Sequence, residues 1–202
     1  MTKRDHDRTA ALFHAGAAQA SRALAAWLDR PASVAVDRLA VLPLEEAVTL
    51  LGDDGEPICG CAMQVSGGVS GVLVLAASDP AGLMLADVLL GRQVGTSAAW
   101  GDLERSAMIE TANIVGCGYL NAIAAGIPSE ADAGVLPTPP WFVRDFPAAV
   151  MEAVLVANAA ASDTVLLAAT EFRIDGVPIR CGLVFVPDAA GLGLLGAATG
   201  VE

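Results

Sequence analysis

The sequence predicts an α+β fold in which two related halves share one largely antiparallel sheet, with two long helices side by side on one face. Three observations carry this prediction. First, two segments match in kind: "VSGGVSGVLVLAASDPAGLMLADVLLG" (65 to 91) and "IDGVPIRCGLVFVPDAAGLGLLGAATG" (174 to 200). Each has a glycine-containing hairpin turn, a strand rich in Val and Leu, and then D-x-A-G-L opening a helical stretch, at Asp79 and, 109 positions later, at Asp188. Second, a long helical pattern lies upstream of each hairpin, at 7 to 30 and 101 to 126, with small and apolar residues along one side as helices laid on a sheet require. Third, strands joined by tight turns pair antiparallel, and halves of about 100 residues each bury too little to stand apart.

In chain order, the first half reads as the long helix, a strand near 32 to 42, a short helix near 44 to 51, hairpin strands near 57 to 66 and 70 to 77, and a helix near 79 to 91. The second half repeats this order, except that "PTPPW" (137 to 141) interrupts a strand with an extended, proline-bound segment. The 202 residues are therefore expected to form one domain of two repeats, about 1 to 92 and 101 to 202, joined by "QVGTSAAW" at 93 to 100.

Charge excludes several classes of function. A net charge of −12, with eleven Lys and Arg scattered along the chain, cannot neutralise a row of phosphates, so no nucleic acid is expected as a partner. The longest apolar runs, such as 148 to 161, are interrupted by Glu152 and too short to span a bilayer, so no membrane insertion is expected. Cysteines at 59, 61, 117 and 181 do not form a disulfide pattern, which points to a reducing cytoplasm. "CGC" at 59 to 61 has no second cysteine pair, and the only histidines are His6 and His14, so no metal site is expected and the two thiols read as small apolar strand residues. "GLGLLG" at 191 to 196 has dinucleotide-binding spacing, but the six residues after it leave no room for the required helix and strand.

The second long helix carries the candidate site. At 100° per residue, Leu103, Ser106, Glu110, Asn113, Cys117 and Asn121 share one stripe, while Met108, Ala112, Val115, Tyr119, Ala122 and Ile123 fall opposite. The apolar side should face the sheet, leaving Glu110 and Asn113 adjacent and substantially exposed, with Ser106 one turn below. Gly116 and Gly118 weaken the helix by about 1 kcal/mol each relative to Ala, so each needs a close neighbour: either the matching first-half helix or a docking partner.

Ser106, Glu110 and Asn113, in the arrangement "S-AMI-E-TA-N", resemble the signature of the CheC/CheX/FliY family of response-regulator phosphatases, which are also built of two related halves led by such helices. The family pattern continues to a proline about 22 residues beyond the Asn; Pro137 follows Asn113 with 23 between. The equivalent first-half positions are degenerate, with Asp7 kept but Ala11 and His14 standing for the Glu and Asn, so one active face is expected.

The resemblance implies an aspartyl-phosphate phosphatase whose substrate is a phosphorylated CheY-like receiver protein in chemotaxis or two-component signalling. In that reading Asn113 positions the attacking water, Glu110 pairs with the receiver's lysine, and Ser106 supports the motif. The Mg²⁺ belongs to the receiver, and the chain carries no cofactor of its own. A homodimer is a further allowed assembly. The alternative is a non-catalytic docking module of the same fold that binds a receiver domain or a flagellar-motor component.

Overall fold

The computed structural model describes residues 3–51, 55–126, 134–157 and 164–188. The elements run α1 (Lys3–Leu28), β1 (Ala32–Pro43), α2 (Leu44–Leu51), β2 (Ile58–Gly67), β3 (Gly71–Ser78), α3 (Asp79–Leu89), α4 (Asp102–Gly126), β4 (Val135–Pro137), β5 (Trp141–Asp145), α5 (Pro147–Ala157), β6 (Thr164–Ile174) and β7 (Val177–Pro187). Seven strands form one antiparallel sheet in the order β1-β6-β7-β3-β2-β4, with β5 also pairing to β2. The centre is the pair β3 and β7, one strand from each half, in register from Gly71 opposite Pro187 to Ala76 opposite Gly182. Moving outward, β2 and then β4/β5 on one side match β6 and then β1 on the other, so the predicted sharing of a single sheet holds.

Both faces of the central strands are buried, which explains their near-continuous apolar runs. Side chains alternate across a strand: Leu73, Leu75, Leu183 and Phe185 join the core under α1, α3 and α4, while Val72, Val74, Val184 and Val186 join the second core under α2 and α5. Cys59, Cys61 and Cys181 lie in the first core as free thiols, and burial pushes the Cys59 thiol from 9.0 up to about 12. Asp175 and Gly176, both with positive φ, make the two-residue turn between β6 and β7. Among the described residues, no helix is long and apolar enough to cross a membrane.

Three boundaries differ from expectation for local reasons. Helix α1 starts earlier, at Lys3, and stops at Leu28 because Asp29 turns left-handed (φ 52°) ahead of Pro31. Helix α3 is capped by the Ser78 hydroxyl, which accepts from the Ala81 N–H at 3.4 Å, and it ends at Leu89, before Gly91 with φ 69°. The helix expected to open at Asp188, and the glycines at 191 to 196, lie outside the described residues.

The long helices α1 and α4 lie against each other on one face, and their glycines set the approach. A Cβ on Gly118 would sit 2.8 Å from the Ala20 backbone nitrogen, and one on Gly16 would sit 2.7 Å from Tyr119 Cδ1. Gly116 faces the sheet instead, where a Cβ would meet Met63 Cε at 2.6 Å. Gly116 and Gly118 are both buried and serve internal packing, so the docking-partner explanation for them is set aside.

The linker is pinned beneath α4. The carboxylate of buried Asp87 accepts N–H bonds from Gly95 (2.8 Å), Thr96 (2.9 Å) and Ser97 (3.0 Å). Glu104 reaches back to the Gly101 N–H at 3.1 Å, satisfying an orphan donor at the start of α4, and is ion-paired with Arg92. Burial pushes the Asp87 carboxyl upward, but the bonds from Ser97, Gly95 and Thr96 outweigh it and leave Asp87 below its ordinary value.

Candidate functional site

Helix α4 divides its two faces as its sequence requires. Ala112, Val115 and Tyr119 are buried, whereas Ser106 and Glu110 are exposed. Asn113 departs from expectation: it is half-buried rather than substantially exposed. It sits in a cleft of about 340 Å³ whose walls are Ile109, Glu110 and Asn113 on α4 and Pro137, Thr138, Pro139 and Pro140 on the strand interruption. One turn along the helix, the Cys117 thiol donates to Asn113 Oδ1 at 3.7 Å. Burial, and secondarily the charge of Glu110, push that thiol above its ordinary value, so it stays protonated as a donor.

The proline wall is held by main-chain bonds. Pro137 pairs opposite Val65 on β2; next to it the Thr138 N–H donates to the Gln64 carbonyl at 2.8 Å, and the Gln64 N–H donates to Thr138 Oγ1 at 3.0 Å. Pro139 and Pro140 have no N–H to offer a ladder, so the chain leaves the sheet there before rejoining it as β5 at Trp141. A second cluster fixes the other end of the wall. Arg144 on β5 binds Asp79 through two bonds of 2.8 Å, Trp100 Nε1 donates to the same carboxylate at 2.8 Å, Phe142 packs at a tilt against Trp100 with ring centroids 4.8 Å apart, and Arg105 lies over the Phe142 ring at 5.7 Å.

The cleft therefore brings together Glu110, Asn113 and Pro137. Ser106 lies on the same stripe but does not line the cleft. Asp7, Ala11 and His14 are exposed on α1, away from these residues. Chemically, the cleft offers a solvent-accessible carboxylate for a cationic partner group, and beside it an amide with one acceptor already bonded and donors to spare. The sequence placed Cys117 on the stripe without a role, and Thr138 had as its one signal the proline run around it.

No family model matches the sequence. An α+β chain with a seven-stranded antiparallel sheet joining two halves, led by paired long helices, has the fold of the CheC/CheX/FliY chemotaxis proteins. FliY of Thermotoga maritima is similar over 98% of this chain and 95% of its own, with a TM-score of 0.74 at 14% identity. The FliM middle domain from H. pylori is similar over 97% and 99% respectively (TM-score 0.69, 12% identity), and the FliG–FliM complex from the same organism matches at 0.68, with 8% identity over 96% and 100%. CheX in the CheX–CheY–BeF3–Mg²⁺ complex from Borrelia burgdorferi matches at 0.50, with 13% identity over 86% and 96%.

Proposed function

We propose that this protein hydrolyses the aspartyl phosphate of a CheY-like receiver, with Glu110 and Asn113 as the working pair. The observation that supports this reading most is that the two side chains, three apart on α4, share one cleft with Pro137. The solved complex of CheX with CheY supports the class of partner. In the reaction the bond between phosphorus and the aspartyl oxygen breaks, a water oxygen bonds to phosphorus, and aspartate and inorganic phosphate leave. The transition state is loose, so the main requirement is an oriented water. Asn113 supplies the orienting amide. Its Oδ1 already accepts from Cys117, which fixes the amide plane and leaves the NH₂ directed elsewhere. Glu110 pairs with the receiver's lysine and sets the register of docking, while the Mg²⁺ on the receiver offsets phosphoryl charge.

The second reading, a docking module without hydrolysis, has its own support: the FliM structures, one of them in complex with FliG, match more closely than CheX. One experiment separates the two. Decay of a phosphorylated receiver is followed with and without this protein; acceleration is expected, and Asn113→Ala should remove on the order of 100-fold of it while leaving receiver binding intact. Glu110→Ala should weaken both binding and rate. Binding of the phosphorylated receiver without any shortening of its lifetime sinks the phosphatase reading in favour of docking.

A further inference from the structure

We propose that a hollow on the opposite face of the sheet, between Arg38 and Arg180, binds a compact apolar monocarboxylate. The cavity, about 310 Å³, lies over β1, β6, β7 and β3 beside the end of α2, with the sheet between it and α4. Its floor follows from register. Arg38 pairs with Ala169, Ala169 with Gly182, and Gly182 with Ala76, so three successive strands present no more than a methyl group. Leu51 closes over this row: a Cβ on Gly182 would lie 3.0 Å from its Cδ2.

A bulge brings the first arginine to this face. The β1–β6 register shifts between Val36 and Arg38, so Val36 packs under the long helices while Arg38 lines the cavity. Arg180 stands two residues before Gly182, on the same face of β7. With strands about 4.8 Å apart and about 3.4 Å of rise per residue, the two Cα atoms are roughly 12 Å apart, within converging reach of two guanidinium groups.

Charge defines the ligand. In a chain of net charge −12, neither Arg38 nor Arg180 is ion-paired among the described residues. Glu171 lies opposite Arg180 in the ladder, and Arg173 binds one of its carboxylate oxygens. Guanidinium forks match carboxylate geometry, and Leu50, Leu51 and Leu167 supply an apolar wall. Asp37, also at the cavity, disfavours a dianion such as phosphate. The volume sits at the small end of ligand pockets, which run from about 300 Å³.

The test titrates the full chain with hexanoate, 1-hexanol and acetate by calorimetry and by amide chemical shifts. Hexanoate should bind saturably, and hexanol and acetate about tenfold more weakly or worse, because each lacks one half of the recognition. Arg38→Gln and Arg180→Gln should each weaken hexanoate by about tenfold. Ala169→Leu, which fills the hollow, should abolish binding, and Asn113→Ala should leave it unchanged. The proposal is overturned by absence of saturable hexanoate binding, by hexanol binding equally well, or by undiminished binding to both glutamine variants. Should Ala169→Leu fail to fold, the glutamine variants alone decide.

Discussion

Replacing Gly118 by Ala tests the helix crossing that positions the site. On an open helix surface this change stabilises by about 1 kcal/mol, because glycine costs that much in helix propensity. Here the new Cβ would lie 2.8 Å from the nitrogen, 2.9 Å from the Cα and 3.0 Å from the Cβ of Ala20. Against a contact optimum of about 3.5 Å, α1 must retreat by roughly 0.6 Å. Two of the three clashing atoms belong to the backbone of a helix packed on the sheet, so no rotamer change relieves them. Overpacking of this kind costs about 1–3 kcal/mol; with backbone in the way the upper end applies, and subtracting the propensity gain leaves a net loss of about 2 kcal/mol. Gly116→Ala is the internal comparison. Its nearest obstacles are Met63 Cε and Sδ, at the mobile end of a side chain, so the same substitution should cost less than about 1 kcal/mol. Urea unfolding followed by circular dichroism reads both variants. Gly118→Ala matching or exceeding the stability of Gly116→Ala would refute the backbone contact.

Stability should fall at both ends of the pH scale. The Arg144 hydrogen bond to Asp79, the backbone and Arg92 bonds to Glu104, and the loop N–H bonds that offset burial at Asp87 hold these carboxyls below their ordinary 3.8 to 4.5, so their contribution is present above about pH 4.5 and is lost as pH falls through the lowered values. Buried Cys59, Cys61 and Cys181 titrate above 9.0, so the protein weakens from about pH 9 upward, as thiols ionise in the unfolded chain first; urea midpoints measured across pH check both arms, and a flat profile contradicts them. Installing the missing pair on α1, as Ala11→Glu with His14→Asn in an Asn113→Ala background, should not restore receiver dephosphorylation, since β1, although bulged at Asp37, stays in the sheet from Ala32 to Pro43 and provides no proline wall; recovered activity would show that the helix stripe alone suffices.

The fold was legible because its signals are local or repeated. The Val- and Leu-rich runs of β3 and β7, the Asp175–Gly176 turn and the D-x-A-G-L segment at Asp79 are each readable within a dozen residues. The α4 stripe was legible for the same reason, since a helix converts spacing directly into a face. What escaped depends on what lies opposite. Gly118 could not be explained without knowing that Ala20 faces it, nor Gly116 without Met63. Asn113 is half-buried because β4 pairs with β2, placing Pro137 to Pro140 beside α4, and that register is not written in either segment. Asp87 lies within an apolar helix and gave no sign that its carboxylate gathers the N–H groups of residues 95 to 97.

Among the described residues the two halves differ at the sheet edge, and the candidate site lies in the half whose edge is broken. In the first half β1 pairs with β6 from Ala32 to Pro43 with a bulge at Asp37, and the α1 stripe carries Ala11 and His14. In the second half the equivalent edge is split into β4 and β5 around two prolines, and the α4 stripe carries Glu110 and Asn113. The split sacrifices ladder bonds at the sheet edge, where losing them is least costly, and provides the wall of a cleft. On α1 the buried residues Phe13, Ala17, Ala20 and Leu24 remain, because the packing face and the polar stripe are separate positions of the helix. The stripe on either helix can therefore vary without loosening the core. The broken edge and the Glu–Asn pair occur in the same half, as the proposed site with its two walls requires.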